Sequence, residues 1–259
     1  MSDSSIISQN EQKSKSTPNK FTWKKFGLIC ACLAWTAGIF IGVEFLVALI
    51  MTWILGDQIT QPIWNAAYGA ISYSLALAII IGVPYFVNKR WRSTRAELGL
   101  KGMPTWTDIG LGIAGILAYF ILASIVIWLC SLIMPWIDMS QAQDVGFNAI
   151  SNNIDRLVAF VALVIVAPIA EEIIFRGWLY GNLRKIIPGK VSMPIAMLLV
   201  SILFGALHGQ WNVAINVFAL SIILCSLREL TGTIYSGILV HMIKNGIAFY
   251  SLYILGMGL

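Results

Sequence analysis

Long apolar runs alternate with short polar segments along the whole of this 259-residue chain. Seven of these runs approach or exceed the roughly 20 residues that a helix needs to cross a lipid bilayer. They fall at 26–55, 62–88, 106–136, 156–184, 191–209, 211–228 and 231–256. The pattern therefore predicts an all-α, polytopic transmembrane bundle of about seven or eight spans.

The chain divides into three parts. Residues 1–22 are rich in Ser, Asn, Gln and Lys, which predicts a disordered tail. Residues 23–153 hold the first three apolar runs and so predict a group of N-terminal transmembrane helices. Residues 154–259 hold the other runs together with most of the ionisable residues that fall inside them, and we expect this part to carry the chemistry.

Composition identifies lipid as the main solvent of this protein. The chain is 58% hydrophobic and 11% charged, whereas a soluble domain carries about 25% charged residues. The net charge of +5 resides in short loops and not in a basic stripe with interleaved aromatic residues. We therefore predict a bilayer as partner and exclude nucleic acid.

The charges of the loops predict the orientation of the bundle. The tail, the loop after the second run and the loop after the fourth run are basic, with Lys13, Lys15, Lys20, Lys24, Lys25, Lys89, Arg90, Arg92, Arg95, Lys101, Arg184, Lys185 and Lys190. The loops at 56–61 and 137–153 contain Asp57, Asp138 and Asp144 but no Lys or Arg. Because basic loops stay in the cytoplasm, we expect a multi-pass membrane protein with a cytoplasmic N-terminus.

Ionisable residues inside a membrane span are costly and indicate a functional site. Along their helices, Glu171 lies about 21 Å from Lys185, and His208 about 27 Å from Lys190. His241 lies about 20 Å from Arg228, so three predicted helices bring these side chains to similar depths. The other ionisable residues within the apolar runs are Glu44, Glu172, Arg176 and Lys244.

The spacing of residues within one helix separates the roles of two adjacent glutamates. Glu172 and Arg176 are four residues apart, with the acid first, which favours an ion pair. Glu171 is rotated by about 100° from Glu172 and should point away from the guanidinium. A carboxylate in that position is a candidate general base.

Two further pairs of residues complete this hypothesis. His241 and Asn245 share a helix face, and their side chains suit the stabilisation of an oxyanion on a carbonyl. His208 follows Phe204 by four residues, so we expect the phenyl ring to pack against the imidazole within one helix. His208 and Glu171 would then hold and activate a water molecule.

These residues belong to three motifs: EEIIFR from Glu171 to Arg176, FGALH from Phe204 to His208 and HMIKN from His241 to Asn245. In order and spacing they resemble the EExxxR, FxxxH and HxxxN motifs of the CAAX prenyl protease and bacteriocin-processing (CPBP, or Abi) family. The likeness covers residues 155–250.

The resemblance implies an intramembrane endopeptidase whose helical fold opens to the cytoplasm. It implies catalytic roles for Glu171 and His208, which activate water, and for His241 and Asn245, which form the oxyanion hole, with Glu172, Arg176 and Phe204 in support. A prokaryotic plasma membrane and a peptide or membrane-protein substrate, prenylated in eukaryotic relatives, are the corresponding expectations.

Zinc is an alternative to a metal-free mechanism, since the family is often named metalloprotease. Glu171, His208 and His241 would be the three ligands. The chain contains no HExxH motif, and Arg176 adds positive charge nearby. We therefore expect that no cofactor is required.

Three other hypotheses remain open. A non-catalytic membrane scaffold or bacteriocin immunity protein would use the same fold without cleavage. A proton-coupled transporter would use the buried acids as relay groups, although the sequence shows no internal repeat. Finally, Glu44 and Lys244 are candidates for an ion pair that joins the first span to the seventh.

Overall fold

A computed structural model describes residues 21–87, 91–139, 141, 147, 150 and 152–255. Within them the chain forms α-helical structure and no strands. Seven helices follow one another along the chain: α1 Trp23–Leu55, α2 Pro62–Val87, α3 Trp106–Ile133, α4 Asn153–Ile186, α5 Ser192–Ala206, α6 Trp211–Thr231 and α7 Tyr235–Tyr253. The predictions made for residues 1–20 of the tail and for the loop residues Lys89, Arg90 and Asp144 fall outside the described residues.

The helical membrane bundle predicted from the apolar runs is confirmed. Five helices, α1, α2, α3, α4 and α6, are long and apolar enough to cross a bilayer. The shortest of the seven helices is α5, which has 15 residues. In the sequence, the shortest apolar run is instead the sixth, 211–228. Helix α6 extends to Thr231 because Gly232 ends it in the left-handed conformation (φ 69°).

Lipid-facing residues agree with this architecture. Large tryptophans stand at the ends of α1, α3 and α6 and are almost fully exposed, with Trp23 at 86%, Trp106 at 87% and Trp211 at 75%. Such residues are typical of membrane–water interfaces, where the ring contacts lipid and the indole N–H contacts water.

The protein core joins the N-terminal helices to the C-terminal ones. The largest apolar cluster contains Phe40 of α1, Ile80 of α2, Trp178 of α4, Val200 of α5 and Val217 of α6. A second cluster joins α3, α6 and α7 around Tyr119, Leu220 and Val240. Helix α4 therefore lies among the other helices with its middle removed from lipid. The division of the chain near residue 153 stays a prediction.

Helix α4 contains two π-helical segments, Val161–Val166 and Glu172–Tyr180. The second segment begins directly after Glu171. A π-helical turn holds more residues than an α-helical turn, and such turns are frequent at functional sites. Every residue of Ile174–Tyr180 is buried, so the wide turns are surrounded by protein.

A polar loop holds one end of the bundle together. The backbone of Leu98 lies against Gly177, where an added Cβ would be 2.8 Å from the Leu98 carbonyl oxygen. The Glu97 carbonyl accepts a hydrogen bond from Arg228 (2.8 Å), and the Gly99 carbonyl accepts one from the Ile234 backbone N–H (3.1 Å). The loop thus fixes α4, α6 and the start of α7 relative to one another.

Candidate active site

Glu171 lies near the middle of α4 and is 8% exposed. Its Oε1 accepts a hydrogen bond from the Tyr73 hydroxyl of α2 at 2.5 Å. Its Oε2 is 3.6 Å from Nε2 of His241 on α7. No ion pair with Arg176 is formed, so this carboxylate has a hydroxyl and an imidazole as its neighbours.

Glu172 is fully buried and has different partners. Its Oε1 accepts a hydrogen bond from Nη1 of Arg176 (2.9 Å) and lies 3.1 Å from Nδ1 of His241. Gly237 on α7 allows this approach, because an added Cβ would be 3.0 Å from Oε2 of Glu172. The buried carboxylate therefore joins α4 to α7.

His208 lies outside the helix that was predicted for it. Helix α5 ends at Ala206, and His208 belongs to the turn that follows. Gly209, with a φ of 73°, has the left-handed conformation that stops a helix. Nδ1 of His208 is 2.8 Å from the Phe204 carbonyl oxygen. Because a carbonyl only accepts, Nδ1 carries the proton and Nε2 of the neutral ring is left as an acceptor.

The ring of Phe204 is the common neighbour of the three motifs. It meets the His208 ring edge-on with centroids 5.0 Å apart and the His241 ring at 5.9 Å. The guanidinium of Arg176 lies over its face, 4.2 Å from the centroid. One aromatic side chain thus sets the relative positions of both imidazoles.

Asn245 is turned towards the backbone of α4. Its Nδ2 donates a hydrogen bond to the Leu163 carbonyl at 2.9 Å. Leu163 belongs to the π-helical segment Val161–Val166, and a buried carbonyl there requires a donor. The structure thus places Asn245 one helical turn after His241 but does not bring its amide into the cavity at Glu171.

A cavity of about 110 Å³ lies beside Glu171 and His208. Helices α1 and α2 contribute part of its wall, through Phe40, Glu44 and Tyr73. Sequence reasoning missed Tyr73, because a tyrosine in an apolar helix is ordinary. The predicted ion pair between Glu44 and Lys244 is not formed, since Lys244 lines a different cavity between α3, α6 and α7.

The alternative of a zinc site can be compared with the same geometry. Among the described residues, no group of three His, Cys, Asp or Glu side chains is arranged to hold a metal ion. Glu171, His208 and His241 as placed do not form a three-ligand set.

Residues 153–247 match the family described as type II CAAX prenyl endopeptidase Rce1-like. The matched residues include all three motifs, and the match confirms the family resemblance that those motifs indicated. No curated protein and no solved structure matched the chain. Phe40, Glu44 and Tyr73 lie outside the matched residues, yet they complete the cavity.

Proposed function

We propose that this protein is a glutamate-dependent intramembrane endopeptidase. The observation that carries the proposal is the shared cavity of Glu171 and His208. Glu171 has no cationic partner in Arg176, and His208 presents an unprotonated Nε2. A water molecule between these two groups would have two acceptors for its protons.

The hydrolysis follows from this arrangement. Glu171 takes a proton from the water while its oxygen attacks the substrate carbonyl, with His208 orienting the water. The Nε2–H of His241, when the ring carries both protons, would stabilise the negative charge on the carbonyl oxygen. Asn245 would add an N–H only if its amide turned towards the cavity, because in the structure it donates to the Leu163 carbonyl. The C–N bond then breaks, and the proton on Glu171 passes to the leaving amine. The products are a carboxylic acid and an amine, and the proton of the acid passes to the amine to leave a carboxylate and an ammonium group, so atoms and charges balance.

The Tyr73 hydroxyl has a positioning role in this reaction. Its hydrogen bond fixes one oxygen of Glu171 and leaves the other for the water. The Glu172–Arg176 pair positions His241 through its Nδ1. Neither Tyr73 nor Glu172 needs to touch the substrate.

An apolar substrate segment suits the surroundings of the site. A groove of about 470 Å³ between α2 and α4 meets the active site at Tyr73 and is lined by small and aliphatic residues such as Ala66, Ala70 and Val161. A prenylated peptide or a membrane-protein segment would bring an apolar group to this position. The groove supports an apolar substrate of either kind.

The side from which the substrate enters is also part of the proposal. Helix α5 begins just after Lys190 and ends just before His208, so the basic loops and the His208 turn lie at opposite ends of it. If the basic end is cytoplasmic, the His208 turn faces the other side, and the cytoplasmic opening implied by the family does not hold. A membrane-impermeant thiol reagent added to intact cells tests this, with cysteines placed at the two ends of α5. Labelling of Trp211→Cys but not of Lys190→Cys would place the His208 turn outside the cytoplasm, and the reverse would support the cytoplasmic opening.

The enzyme hypothesis is tested by comparing membrane and secreted peptides from cells with the native protein and with Glu171→Gln. Glu229→Gln, an acid outside the site that pairs with Arg184, is the matched control. We expect cleavage products to disappear with Glu171→Gln and His208→Ala and to persist with Glu229→Gln. Unchanged products in all variants would instead indicate the membrane scaffold or immunity protein.

A further inference from the structure

A second polar cavity, of about 300 Å³, lies between α3, α6 and α7. Its polar wall contains Tyr119, Asn212, Asn216 and Lys244, and its apolar wall contains Phe120 and Ile247. The volume is at the lower end of the roughly 300–1,000 Å³ of small-molecule sites. None of its lining residues belongs to the hydrolytic arrangement described above.

Lys244 is a cation without a partner in this cavity. Its ammonium makes no hydrogen bond or ion pair with any residue that the structure describes. Because an unpaired charge at membrane depth is costly, a lysine in such a place indicates an anion that binds there.

Two asparagines of α6 present further groups to the same cavity. Oδ1 of Asn216 accepts a hydrogen bond from the Tyr119 hydroxyl (2.7 Å), which leaves its NH₂ group as a donor. Nδ2 of Asn212 donates to the Gln141 carbonyl (2.7 Å), and its buried Oδ1 has no partner among the described residues. The cavity thus combines a cation, an amide donor and a buried amide acceptor.

We propose that this cavity is a substrate subsite in which Lys244 and Asn216 bind a peptide carboxylate. The free acceptor of Asn212 would receive a backbone N–H of the same peptide. A phosphate headgroup would satisfy Lys244 but would leave Asn212 Oδ1 unpaired, so the observations favour a peptide. The apolar wall accommodates an aliphatic side chain. This inference rests on the proposed function, because it assumes that a peptide enters the bundle.

The position of Lys244 limits how far the carboxylate lies from the cleaved bond. Lys244 follows His241 by three residues on α7, which is about 4.5 Å along the helix axis. An extended peptide spans about 3.3–3.6 Å per residue. The carboxylate therefore belongs to a residue within a few positions of the cleaved bond, either as the C-terminus or as an acidic side chain.

Binding and cleavage of short peptides separate these two sources. The probes are N-acetyl-Ala-Leu-Leu with a free C-terminus, the same peptide as its C-terminal carboxamide, and an amidated peptide with an internal Glu. They are presented to the full-length protein in lipid vesicles, as native protein, Lys244→Met and Lys244→Arg. Lys190→Met, which removes an exposed lysine, is the control for charge.

We expect the native protein to bind one of the two acids at least about 10-fold more tightly than the neutral amide, because the acid gains a charged hydrogen bond that the amide lacks. Lys244→Met should remove that preference without changing the affinity for the amide, and Lys244→Arg should keep most of it. Equal binding of all three peptides by the native protein, or equal weakening of all three by Lys244→Met, overturns the subsite.

Two further measurements keep the outcomes distinct. Repeating the binding in Glu171→Gln, which should not cleave, measures the subsite separately from hydrolysis. If the native protein shows the carboxylate preference but cleaves none of the peptides, the subsite stands and the endopeptidase is removed. Asp144, which lies outside the described residues, is changed to Asn. If Asp144→Asn reproduces the loss seen with Lys244→Met, the lysine serves an acid of its own chain and the subsite is wrong.

Discussion

Glu171 and Glu172 are adjacent on α4, yet their surroundings have opposite characters. Glu172 is surrounded by protein and shares one oxygen between Arg176 and His241. Glu171 accepts a hydrogen bond from the Tyr73 hydroxyl and borders a cavity. The difference is that one carboxylate of the EE pair is enclosed by protein, whereas the other borders open space, as the proposed general base requires.

The largest effect that separates the two glutamates is expected on stability. Glu172→Gln leaves the buried guanidinium of Arg176 without its counter-charge, which costs about 3–5 kcal/mol. Thermal unfolding in detergent measures this loss. Glu171→Gln is the matched control and should unfold near the native temperature, because its neighbours are a hydroxyl and an imidazole. Equal unfolding temperatures for the two variants would remove the distinction.

Tyr73→Phe tests whether α2 takes part in the chemistry. The variant keeps the ring against Phe40 and removes only the hydroxyl that fixes Glu171. We expect kcat to fall by roughly 10- to 100-fold, as for the loss of a hydrogen bond to a charged group, with little change in stability and a shifted pH–rate profile. If Tyr73→Phe has full activity and the native pH–rate profile, then α2 takes no part in the chemistry and the active site belongs to the C-terminal helices.

Gly177→Ala tests the packing of the other side of α4. The added Cβ would be 2.8 Å from the backbone oxygen of Leu98, and overpacking of this kind costs about 1–3 kcal/mol. Gly42→Ala on α1 meets nothing within 4 Å and should be neutral or slightly stabilising. Unfolding temperatures of both variants check the contrast, and a Gly177→Ala protein as stable as Gly42→Ala contradicts the close approach of the loop.

The smallest effect concerns Glu97, an exposed acid in the same loop as Leu98. The hydrogen bond from Lys185, together with those from Thr94, lowers the pKa of Glu97 from 4.5 to about 2. The lowered pKa of Glu97 stabilises the folded state above pH 4.5, and this contribution to stability is lost as the pH falls towards 2. Because Glu97 is exposed, Glu97→Gln should cost at most about 1 kcal/mol at neutral pH. The unfolding temperature of Glu97→Gln is measured at low and high salt. A loss of stability as large as that of Glu172→Gln, and unchanged by salt, would contradict this ranking.

Much of the fold could be predicted from the sequence because lipid imposes a simple rule. Each span needs about 20 apolar residues, so the helices were found within a few positions of their observed ends. The end of α5 at Ala206 was missed, because the apolar residues continue to Leu207. The left-handed Gly209 is a local signal that indicates the stop.

The candidate site was only partly predictable for a different physical reason. Residues four apart on one helix are neighbours, so the pairing of Glu172 with Arg176 follows from spacing alone. The contact of Tyr73 with Glu171 joins residues 98 apart in sequence and depends on how α2 packs against α4. The hydrogen bond of Asn245 to Leu163 depends on a π-helical segment, which no periodicity in the sequence indicates.

The central claim is that Glu171 is the catalytic carboxylate, and its most direct test is peptidase activity of the purified full-length protein in lipid vesicles. The substrate is a peptide identified from the cellular comparison, and native protein, Glu171→Gln and Glu229→Gln are measured together. The account predicts that Glu171→Gln lowers kcat by about 10²- to 10⁴-fold at an unchanged unfolding temperature, while Glu229→Gln stays active. Native kcat in folded Glu171→Gln would contradict it.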